Sequence, residues 1–436
     1  MLVSQGTPMS GRAPKLPAHQ ITTANLGAAY PLLAEAGLGH RGVVIGHDLL
    51  GGAFVYDPFE LYAQGVLSNP NMVVFGQIGR GKSSFIKTYL WRQAVYGRRA
   101  WVVDPKGEYA DLAAAWGVQP VALRPGGQVR LNPLEPGPSP PESAEGGSGA
   151  DRRQLELLAA LASACLGRVL VPRERVAIEL ALAALAGASD VPTLPRVIDT
   201  LLSPSAASAL AVRSDERRLL EDGRDVALEL RRLVHGDLRG MFDGPTSATI
   251  DLSAPLVVLD LSALYNSSAL GVLMACASAW LQSALAREAR ERPGASNGLI
   301  VVVDEAWAIL ANLGVARWLQ ASWKFSRAFG VANIAVLHRA SDLQAVGSAG
   351  SEQVGLAQGL LSDSETRVIY AQPAGEVRAA RDLLSLSPTE ADLLPQLRRG
   401  VALWKVGARS FLVQHRLAPD EGPLVDTDAA MGADGR

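Results

Sequence analysis

The sequence is poor in the residues that build disulfide-rich or metal-held folds. Only two cysteines, Cys165 and Cys276, occur in 436 residues, both within Ala/Leu-rich stretches. They read as reduced core thiols, and no disulfide framework is expected. Six histidines are scattered without ligand spacing, so no zinc site is expected either. An excess of charge of one sign is also missing: 41 Lys plus Arg against 43 Asp plus Glu leave a formal charge of -2. Any contact with nucleic acid must therefore be local. With 48% hydrophobic and 19% charged residues the chain is too apolar for disorder and too broken by charge for a multi-span membrane protein. Met1 to His19 is polar and Pro-rich, without the apolar core of a signal peptide, which predicts a cytoplasmic protein. One charge-free run, Asn266 to Ala286, has the length of a membrane span but carries Ser267, Ser268, Ser278, Gln282 and Ser283. It is expected as a buried helix beside a sheet. No short internal repeat is present.

At roughly 100–200 residues per domain, the length allows two or three domains. Residues 1–20 and 418–436 are expected as disordered tails. The Pro/Gly/Ser-rich stretch 134–152 reads as a flexible linker. Before it, apolar runs Met72 to Phe75 and Ala100 to Val103 bracket a helix-like segment Lys82 to Tyr96. After it, 153–240 is Leu/Ala/Arg helix without a convincing strand, as in Glu156 to Cys165 and Arg175 to Leu185. Strand signals return at Leu256 to Leu259, Leu299 to Val303, Asn333 to Leu337 and Thr366 to Tyr370, with a hairpin, Ala402 to Val406 and Ser410 to Val413, around Gly407. Continuous apolar strands without alternation belong to a parallel sheet covered on both faces. The expected fold is α/β: a P-loop domain at 40–133 and 241–417, interrupted by an all-helical insert domain at 153–240.

Chemistry concentrates first at Gly76-Gln77-Ile78-Gly79-Arg80-Gly81-Lys82-Ser83, which follows a strand and opens a helix. This is a phosphate-binding loop in its proper context. Its glycines let backbone N–H groups turn inward, and the helix N-terminus adds a favourable field. Lys82 is assigned to the β- and γ-phosphates and Ser83 to Mg²⁺, with Ser84 beside them. A second acidic site is needed, and Leu299 to Val303 ends in Asp304-Glu305. That places both acids at the carboxyl edge, where open α/β sheets bind ligands. Asp304 fits the metal role and Glu305 the base that activates water. If Ala100 to Val103 or Leu256 to Leu259 lies between the two motif strands, the fold belongs to the additional-strand class. No guanine-specificity motif is evident, which favours ATP.

Several further stretches occur together: Val102-Val103-Asp104-Pro105-Lys106-Gly107-Glu108-Tyr109, Leu131-Asn132-Pro133, Met241-Phe242-Asp243-Gly244, Val258-Leu259-Asp260-Leu261-Ser262 and Asp304-Glu305-Ala306-Trp307. In this order they resemble VirB-type, TraC-like ATPases, which energise type IV secretion in conjugation systems within the HerA/FtsK superfamily. The resemblance covers roughly Gly46 to Arg416, the motor half of such proteins. It implies a RecA-like sheet, Gly76 to Ser83 as Walker A, Asp304 and Glu305 as Walker B, and Asp104 with Lys106 at a neighbouring strand end. The family's next strand ends in Thr-Gln, with Asp four residues on. Here it ends in Leu337-His338, with Asp342 beyond, so His338 stands where Gln is expected. An imidazole still donates or accepts a hydrogen bond, although hydrolysis could be slower or altered.

By the same resemblance the motor works as a homo-oligomeric, hexameric ring, in which a neighbour's arginine completes each site. Arg327 and Arg367 are the candidates. The implied partners are ATP, Mg²⁺ and membrane secretion-channel proteins, at the inner face of the cell membrane, with DNA left open. The expected function is an ATP-hydrolysing motor for conjugation or type IV secretion-like export. A HerA/FtsK/TraG-like DNA translocase or coupling protein is the first alternative. A nucleotide-gated assembly protein with little turnover is the second.

Overall fold

The computed structural model describes residues 37–135, 149–186, 191–236, 238–247, 250–265, 267, 269–291, 298–310, 330–339 and 363–425, with isolated positions between 316 and 361. Its strands are β1 (Val43–Asp48), β2 (Ala53–Tyr56), β3 (Met72–Phe75), β4 (Arg99–Asp104), β5 (Val121–Ala122), β6 (Leu256–Asp260), β7 (Leu299–Val303), β8 (Val331–Leu337), β9 (Thr366–Tyr370), β10 (Val401–Val406) and β11 (Arg409–His415). They form one sheet in the order β2-β1-β11-β10-β9-β3-β8-β7-β4-β6-β5. From β9 to β5 the pairs are parallel. From β9 out to β2 they are antiparallel.

Alternate residues of the parallel strands enter different cores, as the two-residue period of a strand requires. Val73, Phe75, Val301 and Val303 face one core together with Trp280 and the buried leucines of the helical region. Met72, Val74, Ile300 and Val302 face the other, with Phe85, Ile86 and Tyr89 of the helix Lys82–Gln93. Both faces are therefore covered, which is why these strands are apolar at every position. The helices Gly149–Leu166, Pro172–Ala186, Leu194–Leu202, Ala206–Ala211 and Glu216–His235 occupy the region expected as the helical insert. Their buried residues, Leu158, Ile178, Val197 and Leu230 among them, run without a break into the core under β3, β4 and β7.

The charge-free run lies largely in the helix Leu270–Glu291, with Met274, Cys276 and Trp280 fully buried. Among the described residues no helix is long and apolar enough to cross a membrane. Cys165 and Cys276 are both free thiols.

Besides the helix Gly149–Leu166, which begins within 134–152, expected as a linker, two findings depart from the sequence reading. The short helix Gly422–Val425 lies within 418–436, expected as a tail, and Glu421 before it is buried against Arg92. The Arg92 guanidinium donates to both Glu421 carboxylate oxygens, at 2.7 and 2.5 Å, and to the carbonyls of Val44, Ile45 and Arg416. The second departure is the β1–β2 hairpin, which no sequence signal had placed. In it Gly46 passes so close to β11 that a Cβ would meet the Gln414 carbonyl oxygen at 2.0 Å.

The segment leading to β3 is secured by a buried ion pair. Asp57 caps the helix Pro58–Ala63 through the N–H groups of Phe59 and Glu60 and accepts from Arg98 at 2.7 Å, the two side chains being 0% and 7% exposed. Removing one member of such a pair leaves an uncompensated buried charge. Asp57→Ala is therefore expected to cost roughly 3–5 kcal/mol, seen as a lower denaturant midpoint. An unchanged midpoint would contradict this account of the pair.

Candidate nucleotide-binding site

β3 ends at Phe75 and the chain turns through the glycine-rich loop into the helix Lys82–Gln93. Gly76 is required by contact, since a Cβ there would lie 2.5 Å from the Cβ of Tyr370. Gly81 is required by its backbone, at φ +107°. The helix begins at Gly81 without a side-chain cap, so its first N–H groups are left for an anion. The loop is fastened from one side: Gln77 N–H donates to the Ala371 carbonyl at 3.2 Å, and Gly400 N–H donates to the Arg80 carbonyl at 3.0 Å. Lys82 is 5% exposed, and its ammonium donates to the carbonyls of Gly76 (2.5 Å) and Gln77 (3.2 Å). Burial pulls its pKa down to about 8 against the pull of Asp304 and Glu305.

The acids stand two strands away. β8 lies between β3 and β7, paired in parallel with both. This is the additional-strand arrangement, but the inserted strand is β8 rather than either of the two expected from the sequence. β4 and β6 lie beyond β7. Strand order is a long-range property that the local pattern does not encode.

Asp304 follows β7 and is 5% exposed. Its carboxylate accepts from Glu305 N–H at 2.9 Å and from the Tyr109 hydroxyl at 3.4 Å. Burial, then the charges of Glu305, Glu108 and Asp104, raise its pKa to about 7. Asp104 closes β4 and accepts from the N–H groups of Lys106, Gly107 and Tyr109 at 2.8 to 3.1 Å. Burial still raises its pKa. Lys82 and Lys87 lie in the field of Asp304, but among the described residues no cation contacts its carboxylate directly. A hard divalent cation prefers oxygen donors, and Asp304 with the Ser83 hydroxyl fits Mg²⁺.

Glu305 is 1% exposed and adopts φ +51°, a left-handed conformation costly for a residue with a Cβ. His338, the residue after β8, places Nε2 2.6 Å from Glu305 Oε1. The Lys106 ammonium pairs with the same oxygen, and the Trp307 indole N–H donates to Oε2. Burial alone would raise the pKa of Glu305, but the hydrogen bonds and charges of His338 and Lys106 prevail and bring it to about 2. The His338 Nδ1 is buried without a partner.

The structure thus brings Glu305, His338 and Lys106 into one cluster. Lys106 was assigned to a strand end from the sequence without a contact. The signal that it is near Glu305 lies only in its position two residues beyond the end of a strand that pairs with β7. Arg327 and Asp342 lie outside the described residues. Arg367 is paired with Val73 in register, and its guanidinium donates to the Leu384 and Leu361 carbonyls at 3.1 and 3.4 Å. It is engaged within its own fold.

No family model matches the sequence, and no curated protein matches it. Among solved structures, VirB4 of Thermoanaerobacter pseudethanolicus is similar with a TM-score of 0.70 at 23% identity, over 89% of this chain and 100% of that one. The chain has the VirB4 fold. The plasmid coupling protein TrwB, in its complex with ADP and Mg²⁺, is similar with a TM-score of 0.56 at 15% identity, over 91% of this chain and 94% of that one. TrwB with a non-hydrolysable ATP analogue gives 0.55 at 15% identity, over 94% and 96%.

The acidic corner has a pH signature. Because the Asp304 pKa is raised from 3.8 to about 7, the stability tied to its neutral form is complete below the unfolded value and is lost as pH rises towards 7. Glu305 behaves oppositely: its pKa falls from 4.5 to about 2, so its contribution is lost only on acidification through that lower range. In Mg²⁺-free buffer, Asp304→Asn should gain stability relative to the parent chain between pH 5 and 7. Denaturation at both pH values reads this, and a pH-independent difference would contradict it.

Proposed function

We propose that this chain is an ATP-hydrolysing motor that energises a conjugation or type IV secretion-like export system. The observation that supports it most is the meeting, at one sheet edge, of the loop Gly76 to Ser83 with Asp304 and Glu305 across the single intervening strand β8. Likeness of fold to VirB4 and to the coupling protein TrwB supports the setting in export.

In this reading ATP lies along the loop, its phosphates held by loop N–H groups and by Lys82, whose ammonium exchanges two carbonyls for phosphate oxygens. Mg²⁺, held by Ser83 and Asp304, supplies neutralisation of phosphate charge when bound. Glu305 accepts a proton from water as the water oxygen bonds to the γ-phosphorus and the bond to the β,γ-bridging oxygen breaks. His338 holds Glu305 in line from the end of β8. A neighbouring subunit's cation in a hexameric ring completes the charge balance. Because Arg367 is occupied within its own fold, Arg327 is the candidate retained. Membrane channel proteins are the partners this reading requires, with the chain at the inner face of the cell membrane.

The test is steady-state ATP hydrolysis with and without single- and double-stranded DNA. Glu305→Gln should lower kcat by roughly 100-fold or more, and Lys82→Ala should remove nucleotide binding. DNA-independent turnover supports the export motor, and strong stimulation by DNA moves the reading to a translocase. Unchanged turnover in Glu305→Gln would remove Glu305 from the base role. Absence of turnover in the parent chain would favour a nucleotide-gated assembly protein.

A further inference from the structure

Glu305 is held by three donors. Lys106 and His338 occupy one carboxylate oxygen and Trp307 the other. Three donors fill about three of the carboxylate's four acceptor sites, both of those on Oε1, and hold its basicity down, so a donor that leaves Oε1 makes Glu305 a better proton acceptor for an attacking water. Geometry distinguishes them. Trp307 is two residues along the same turn. His338 follows β8, which is hydrogen-bonded on both sides to β3 and β7. Lys106 is different: its backbone is pinned by Asp104 at the end of β4, but its long side chain is 21% exposed. It extends from β4 past the end of β7 until Nζ is 3.4 Å from His338 Nε2 at the end of β8. The Lys106 and His338 side chains thus meet across β7, over the two strand spacings that separate β4 from β8. Lys106 also repels the Lys82 ammonium, so the two cations share one electrostatic environment.

Resting on the ATPase reading, we propose that Lys106 is a latch: it holds Glu305 until a γ-phosphate takes its ammonium, and that transfer frees Glu305 Oε1 for water. A terminal phosphate carries more negative charge than a carboxylate and presents three acceptor oxygens, so it competes for the ammonium. The terminal phosphate of ADP sits one position further back, at the β-site, so nothing occupies the γ position and the latch stays closed. Lys106 is thus a positioning residue for Glu305 and a discriminator between ATP and ADP. A plain counter-charge to a buried glutamate would make no such distinction.

The experiment measures the affinities of a non-hydrolysable ATP analogue and of ADP, each with Mg²⁺, for the full chain and for Lys106→Met and Lys106→Arg. Loss of one charge-assisted contact should weaken the ATP analogue by roughly ten- to a hundredfold in Lys106→Met. ADP affinity should stay within about twofold, by the same contact count. Lys106→Arg should recover much of the loss. Should Lys106→Met fail to fold with Glu305 left unpaired, Lys106→Met/Glu305→Gln removes both charges and should show the same selective loss. Affinities that move together for the two nucleotides, or move for neither, would overturn the latch while leaving nucleotide binding in place. A parent chain that binds neither nucleotide would overturn the ATPase reading itself.

Discussion

Four carboxylates gather where β4 and β7 end, and the site is organised by the need to offset that charge. Asp104 is settled by three backbone N–H groups, Glu305 by an ammonium, an imidazole and an indole. Asp304 receives only a tyrosine hydroxyl and one N–H, and its pKa rises accordingly. The arrangement is unequal by construction: Asp304 stays undercompensated, and Glu305 is overcompensated. Each departs from neutrality in the direction that an incoming cation and an incoming phosphate would correct.

The sheet makes this inequality achievable. β8 lies between the phosphate-loop strand and the acid strand, so His338 reaches Glu305 from a side that neither motif could supply. Parallel strands place all their carboxyl ends on one edge, and loops from β3, β4, β7 and β8 meet there although their sequence positions span residues 76 to 338.

How much of this could be read beforehand follows from what each feature depends on. β3, β7 and β9 match the expected ranges because a strand buried on both faces must be apolar throughout, which is a local signal. β1 and β2 were missed because they lie at the antiparallel edge, where Val44 and Ala53 are exposed and the apolar run is broken at Gly46. The glycines and Lys82 were legible because the phosphate loop is a contiguous backbone device. The Glu305–His338 contact joins residues 33 apart, and the Lys106–Glu305 pair joins residues 199 apart. Both depend on strand order, which composition and periodicity leave open. Arg367 shows the converse limit: a guanidinium that looked free in sequence is absorbed by two carbonyls of its own fold.

The helix after the phosphate loop ends in Arg92, whose guanidinium grips Val44 and Ile45 of β1, Arg416 and Glu421. One end of this helix thus opens at the glycine-rich loop while the other is tied to the antiparallel half of the sheet and to the segment that follows β11. A rod fixed at both ends cannot absorb a push by sliding. On the ATPase reading, a displacement begun at the loop would pass to β1 and the segment after β11, and the antiparallel half of the sheet would share in it.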